Sequence, residues 1–289
     1  LNAPYINGAD LLFKLFTYDI SSKNDSFFVW PTRQFNYSRP RICIVHADTR
    51  DLDSIYQANN TELDPTKLSF HSFNSYYTQF YALIHRYDFK RIKVSTIPDR
   101  HLTWTRLKGV YDTLLKYDII LHLDGDAFLS DLSVSLESLM KHWNFTHDAH
   151  FLQTIAVGNR NQTNCGFWII RNSPLSRQKL LDLIECPEKI EGCHHWRYNF
   201  AHEQAAWTNY IRHTMKQGKE FIVVDIEEAN GWPPWGGKHV IYGWGKKEET
   251  VTWMIQSIAR QIVILMHQFT NGHHYVSCSS WEKSKTLCD

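Results

Sequence analysis

The chain has 289 residues, 43% of them hydrophobic and 21% charged, and 31 Lys+Arg against 30 Asp+Glu leave a formal charge of +1. That balance excludes a basic nucleic-acid-binding tail and an acidic disordered segment. The longest uninterrupted apolar run, Ile262–Met266, falls far short of the roughly 18–20 residues needed to span a bilayer.

Residues 1–38 show no sustained periodicity and carry Pro4, Gly8, Pro31 and a polar cluster at Ser21–Ser26, which predicts an irregular lead-in. Residues 39–289 are expected to form one α/β domain. The chain opens at Leu1 with neither an initiator Met nor a signal-like stretch, so a targeting segment is expected upstream. From Pro40 onward, short apolar runs alternate with longer amphipathic ones, the pattern of β-α-β units around a mostly parallel sheet. Strands are expected at Arg41–His46, Arg91–Ser95 and Asp118–Leu123, with helices at Ser75–Arg86 and Thr105–Lys116 between them. This forms a Rossmann-like half. Further strands are expected at His150–Thr154, Gly166–Arg171, Phe221–Asp225 and Gln261–Leu265, and helices at Leu132–Lys141, Leu175–Glu185 and Glu203–Met215. Ser173-Pro174 stands in cap and first-turn positions of the second of these helices. The aromatic-rich segments Asn230–Trp244 and His267–Trp281 read as irregular covering loops.

The sharpest local signal is Asp118-Ile119-Ile120-Leu121-His122-Leu123-Asp124-Gly125-Asp126-Ala127. An apolar strand runs straight into two carboxylates separated by one glycine. Ligands of open α/β sheets bind beyond the carboxyl ends of the strands, and two convergent carboxylates there require a cation to offset their repulsion. A hard divalent ion bridging to a diphosphate meets that requirement. After the first expected strand, Asp48 and Arg50 stand where a nucleotide base and ribose would lie, although helix capping would also account for them. Arg106 and Lys108 open the helix before the Asp-Gly-Asp strand, where a cation could neutralise a diphosphate leaving group or merely face solvent. Trp232 and Trp235 lie in Trp-Pro-Pro-Trp-Gly-Gly, a stretch that cannot form regular structure and whose indoles could stack on sugar faces as an acceptor-binding wall.

Compartment is read indirectly. Asn-x-Ser/Thr acceptor patterns occur at Asn24, Asn36, Asn59, Asn144 and Asn161, all in polar stretches. Of six cysteines, Cys186/Cys193 and Cys278/Cys288 bracket short segments and stand as local loop staples wherever geometry allows. Together these favour a lumenal or extracellular setting.

The Asp-Gly-Asp-Ala turn after a strand resembles the Asp-x-Asp signature of GT-A glycosyltransferases. Flanking segments resemble glycosyltransferase family 34, the fungal and plant galactosyl-, mannosyl- and xylosyltransferases. They are Tyr81-Ala82 through His85-Arg86-Tyr87-Asp88-Phe89, Trp104-Thr105-Arg106-Leu107, Leu123–Ala127, Asn164–Ser173 and His202-Glu203-Gln204-Ala205-Ala206. The resemblance implies a GT-A, Rossmann-like nucleotide-diphospho-sugar transferase fold with a mixed central sheet. It also implies Mn²⁺ (or Mg²⁺) held by Asp124 and Asp126. A third ligand is expected from a late His, here His267 in Met266-His267-Gln268-Phe269, with His273 and His274 as alternatives. It places Glu203 and Gln204 beside the transferred sugar and the acceptor, with Asp126 as a further catalytic carboxylate. Asp48, Arg50, Arg106, Lys108 and Asp124 are then expected on the donor. Arg106 stands where the family has Lys, and the strand before the aspartates lacks the family's Trp, so donor identity is not carried over.

The expected activity is metal-dependent transfer of a hexosyl or pentosyl unit from a UDP- or GDP-sugar to a glycan or glycoconjugate hydroxyl, with retention of configuration. The expected setting is the Golgi lumen, as the soluble part of a type II membrane protein anchored by an upstream segment. No nucleic-acid partner is expected. Two rivals share the motif: a haloacid dehalogenase-type phosphatase, and a non-catalytic sugar-binding protein on the same fold. In the phosphatases the motif opens the domain and is followed by Thr or Val, whereas here about 80 residues of ordered chain precede it and Ala127 follows.

Overall fold

A computed structural model describes residues 40–53, 68–243 and 245–272, with side chains as far as residue 264. The chain divides into two compact units. One, Asp25–Ile255, holds both sheets; the described part of the other is residues 256–272.

The first unit begins with β1 (Ile42–Asp48), α1 (Phe70–His85), β2 (Asp88–Lys93), α2 (Arg106–Leu114) and β3 (Ile119–Leu123). These are the expected β-α-β units. The strands lie in the order β2-β1-β3, all parallel, with Ile42 opposite Ile119 and Cys43 opposite Asp88. All five β3 residues are buried, as an inner strand covered on both faces requires. Beyond β3 the sheet continues through β6 (Asn159–Arg171), β5 (Phe151–Ala156) and β7 (Phe221–Val224). β6 runs antiparallel to both β3 and β5, while β7 is parallel to β5. The six-stranded sheet is therefore mixed, with β6 alone reversed.

Three short strands form a second sheet, β4 (Ala127–Leu129), β9 (Val240–Tyr242) and β8 (Ala229–Gly231), in the order β4-β9-β8. The stretch 230–244, expected to be irregular throughout, therefore carries β9 and most of β8. Three-residue strands are too short for alternation to register, so pairing rather than pattern defines them. β4 matters because it starts on the residue after Asp126 and pairs Ala127 with Tyr242.

α1 begins five residues before the expected start. Its first turn carries the polar His71, Ser72 and Asn74, of which Ser72 and Asn74 are fully buried because they bond other parts of the chain. A left-handed Arg86 at φ 60° ends the helix, its N–H and that of Tyr87 returning to Leu83 and Ala82 carbonyls. The remaining helices are α3 (Leu136–His142), α4 (Pro174–Ile184), α5 (Cys186–Lys189), α6 (His202–Ala206) and α7 (Lys247–Gly272). α4 opens with the expected Ser173-Pro174 start, Ser173 and Ser176 capping each other reciprocally. α6 passes into π and 3-10 turns over Trp207–Thr214, so the single helix expected to Met215 changes hydrogen-bond pattern partway.

One expectation is overturned outright. Gln261–Leu265 is not a strand but lies within α7. Its apolar run is continuous, and a short run cannot distinguish a strand from a helix segment; Glu248 and Glu249 in the first turn and the 26-residue length favour the helix. Among the described residues no helix is long and apolar enough to cross a membrane.

The core lies between the main sheet, α2, α4 and the α6 region. Trp168 of β6 packs against Trp207 with tilted rings at 4.9 Å, Trp207 meets Phe151 at 4.9 Å, and all three are buried. Trp207 satisfies its ring N–H on Gln153 Oε1 at 2.6 Å. The Cys186–Cys193 disulfide forms as expected and joins the start of α5 to the following 3-10 turn. Cys43 and Cys165 are free and buried. Cys278 and Cys288, and the acceptor sites Asn24, Asn36 and Asn59, lie outside the described residues, as does the expected lead-in. Asn144 and Asn161 are both exposed.

Candidate active site at the aspartate turn

The backbone of 124–127 is tied down at every residue. Asp124 N–H donates to Gly166 O at 2.7 Å and Ala127 N–H to Asp124 O at 3.0 Å. Asn74 Nδ2, from α1, donates to both Gly125 O and Ala127 O at 3.0 Å. Gly243 N–H, just past β9, donates to Asp126 O at 2.6 Å. These bonds fix the turn that carries the two carboxylates at the carboxyl end of β3.

Asp124 is the more heavily partnered. Arg106 Nη1 donates to its Oδ1 at 2.5 Å, Tyr242 Oη donates to its Oδ2 at 3.0 Å, and His122 Nε2 stands 3.4 Å from Oδ1. Burial acts to raise this carboxyl, but the Arg106 guanidinium, then His122 and Tyr242, override it and hold it well below the usual carboxylate range. Asp126 takes no side-chain donor among the described residues. Burial and the Asp124 charge push it up to about 6. One carboxylate of the pair is thus held by side-chain donors and the other is not.

Arg106 opens α2, where a positive charge is disfavoured by the helix dipole. It is held there by two acids, since Nη2 also donates to Glu203 Oε1 at 2.5 Å. Glu203, in the first turn of α6, is 2% exposed, and its Oε2 is buried without a partner. Gln204 turns the other way, its Oε1 accepting the Cys165 N–H at 3.1 Å and so fixing β6 beside Gly166. Arg106 therefore bridges two of the site's acids, Asp124 and Glu203, and adds positive charge beside the third, Asp126.

Asp48 and Arg50 close the near side. Arg50 donates to Asp48 from its backbone N at 2.9 Å and from Nη2 at 2.6 Å. Burial raises the Asp48 carboxyl, yet its hydrogen bonds to Arg50 outweigh that and leave it below its ordinary value. This pair packs against Gly125. A Cβ there would lie 3.1 Å from Arg50 Nη2 and 3.2 Å from Asp48 Oδ2. Gly166 is needed more strictly, because its Cβ would stand 2.7 Å from both Asp124 Oδ2 and the Tyr242 ring.

The structure thus brings Asp48, Arg50, Arg106, Asp124, Asp126 and Glu203 together, with Gln204 behind them. Lys108 does not join them. It is exposed and pairs with Asp112 one turn along α2, at 2.5 Å. The order Arg106-Leu107-Lys108 explains this, since helix neighbours two apart point in different directions. Trp235 is 74% exposed and Trp232 half-buried in the turn closed by Trp235 N–H on Trp232 O. His267 lies in α7, in the second unit, and its side chain is outside the described residues, as are His273 and His274 entirely.

Three contributors escaped the sequence reading. Tyr242 lay in a presumed loop, Asn74 ahead of the expected helix, and His122 inside a strand that read as purely apolar. His122 Nδ1 lies 3.2 Å from Val45 O, which turns Nε2 toward Asp124. The strand's alternation contained this signal, because His122 and Asp124 stand two residues apart on one face.

The donor set fits a hard divalent cation. Asp126, with no side-chain donor among the described residues, stands beside a second carboxylate, and the two offer the all-oxygen ligands such an ion takes.

No family model matches the chain, and no curated protein matches it. Among solved structures it is similar to a glycosyltransferase involved in the glycosylation of the major capsid of PBCV-1, with TM-score 0.53 and 13% identity over 74% of this chain and 99% of that one. The A197 structure from STIV aligns with TM-score 0.34 and 9% identity, over 64% of this chain and 82% of that one. At 13% identity the first likeness is one of fold. The resemblance to family 34 rests on the motif segments alone, and the mixed α/β sheet with its one reversed strand is a GT-A-type glycosyltransferase fold.

Proposed function

We propose that this protein is a metal-dependent glycosyltransferase that moves a sugar from a nucleoside diphosphate sugar, with UDP or GDP as the nucleotide, to a glycan hydroxyl with retention. The observation that carries the reading is the uneven pair at the end of β3: Asp124 anchored by Arg106 and Tyr242, and Asp126 beside it with no side-chain hydrogen-bond donor among the described residues. Asp124 and Asp126 would hold Mn²⁺ or Mg²⁺. When bound, the ion neutralises charge developing on the leaving diphosphate.

The protein's own groups divide the remaining work. Asp48 accepts hydrogen bonds from the nucleotide ribose or base, and Arg50, facing the aspartates, adds positive charge next to the diphosphate. Arg106 holds Asp124 and Glu203 together, one guanidinium arm on each carboxylate. Glu203 Oε2 is the buried acceptor left free for a sugar hydroxyl or for the anomeric centre. The acceptor attacks on the face the diphosphate leaves, and its proton passes to the departing phosphate or to a carboxylate. Trp232 and Trp235 offer ring faces to the acceptor glycan. A lumenal, Golgi-type setting is supported by the Cys186–Cys193 bridge and by the exposure of Asn144 and Asn161.

In the phosphatase alternative the aspartate motif opens the domain, whereas here β1, α1, β2 and α2 precede it. The test is to incubate the protein with a panel of UDP- and GDP-sugars, with and without Mn²⁺, and follow release of the nucleoside diphosphate. Metal-dependent release from one donor, lost in Asp126→Ala, supports the proposal; release of inorganic phosphate from phosphomonoesters instead would replace it with the phosphatase.

A further inference from the structure

A second set of metal-ligating side chains lies away from the aspartate turn. His142 ends α3, Glu228 immediately precedes β8 and His239 immediately precedes β9. One ligand atom from each lies within 4.8 Å of the others. His142 Nε2 is 2.7 Å and His239 Nε2 3.6 Å from the same Glu228 oxygen, Oε2. His239 Nε2 is buried and has no hydrogen-bond partner, an unsatisfied ligand atom aimed into the cluster.

Two imidazole nitrogens and one carboxylate suit a borderline ion rather than the hard cation of an aspartate pair. Zinc–nitrogen and zinc–oxygen bonds of roughly 2.0–2.2 Å in tetrahedral geometry separate ligand atoms by about 3.3 Å. His239 already stands near that spacing from Glu228, and His142 need withdraw by roughly half an ångström to reach it. The surroundings supply the support such a site requires. Trp143 Nε1 donates to Glu228 Oε2 at 3.0 Å, occupying one lone pair and orienting the other toward the imidazoles. His239 N–H donates to Glu228 O at 2.8 Å, and Lys238 and Gly237 N–H groups donate to Glu227 and Ile226 carbonyls, so the two ligand-bearing segments are cross-linked through their backbones.

We propose that His142, Glu228 and His239 form a zinc site, with water as fourth ligand, that clasps α3 to both ends of the loop bearing Trp232 and Trp235. On binding, the neutral His142 carries its proton on Nδ1 and turns the Nε2 lone pair to the metal, which takes the place of the hydrogen bond to Glu228 Oε2. The clasp also fixes the start of β9, whose last residue, Tyr242, donates to Asp124. The site stands on these three side chains and not on the glycosyl-transfer reading.

The experiment titrates Co²⁺ as a spectroscopic probe, and then Zn²⁺, into chelator-stripped protein, its Asp126→Asn variant, and the His142→Gln and His239→Gln variants. Parent and Asp126→Asn are expected to show the visible bands of tetrahedral Co²⁺, displaced by one equivalent of Zn²⁺, and a higher melting temperature with Zn²⁺. Both His variants are expected to lose the bands and the shift. His142 is 49% exposed, so His142→Gln keeps the fold, checked by circular dichroism, and carries the test alone if His239→Gln misfolds. Bands absent from the parent, retained in His142→Gln, or abolished by Asp126→Asn would each overturn the proposal.

Discussion

Arg106 Nη1 stands 2.5 Å from Asp124 Oδ1, with the two side chains 11% and 15% exposed. The other arm of the guanidinium is on Glu203, which is deeper still. Removing the cation strands two acids in a low-dielectric site. Arg106→Ala is therefore expected to lower unfolding free energy by about 3–5 kcal/mol. Glu203→Gln in the same background should recover part of that loss, because it removes one of the stranded charges. Urea denaturation of the single and double variants checks both. A loss below about 1 kcal/mol for Arg106→Ala would mean the guanidinium is not the counter-ion.

Asp126 gives the site a pH signature. Its carboxyl is pushed up to about 6 from the ordinary 3.8, by burial first and Asp124 second. The fold thus prefers the protonated group: the contribution to stability is complete below 3.8 and is lost as pH rises through 6. Asp126→Asn makes the neutral state permanent. In metal-free buffer at about pH 7.5 it is expected to be more stable than the parent by about 1–2 kcal/mol, with the difference vanishing toward about pH 4. Thermal melts across that range, repeated with Mn²⁺ to reduce the parent's deficit, check the sign.

Two substitutions on the far side of Asp124 should differ in severity. Tyr242→Phe removes one hydrogen bond and leaves the ring in place, an expected loss of about 1 kcal/mol. Gly166→Ala introduces a Cβ 2.7 Å from Asp124 Oδ2 and the same ring. One of them must then move, so the cost should exceed that of Tyr242→Phe and reach about 2–3 kcal/mol. Parallel denaturation curves give the ranking.

Lys108 serves as the negative control. Its exposed ion pair with Asp112 is one helix turn long, and Lys108→Ala should change stability by no more than about 0.5 kcal/mol. Nucleotide binding should be unaffected, whereas Arg50→Ala should weaken it.

The main sheet and the aspartate turn were readable from sequence because burial imposes simple patterns there. β1 and β3 read as apolar runs, and Asp-Gly-Asp marked the end of β3. The partners of that turn were less legible. Asn74 sits in a helical turn whose polar residues are buried to bond the turn, so amphipathicity pointed to a later start. Tyr242 lies on a three-residue strand defined by pairing with Ala127. Glu203 was placed by motif resemblance, but its bond to Arg106 spans 97 residues, a separation no local pattern encodes. Gln261–Leu265 failed for the opposite reason: a continuous apolar run carries no period, and the helix that contains it is set by length and flanking charge.

The central claim is that Asp124 and Asp126 hold a cation on a nucleoside diphosphate. Its most direct test is calorimetric titration of UDP, and separately GDP, into the protein with Mn²⁺, without it, and in Asp126→Ala. The account predicts binding of one nucleotide that requires Mn²⁺ and disappears in the variant. Failure of both nucleotides to bind in the presence of Mn²⁺, or equal binding by Asp126→Ala, would contradict it.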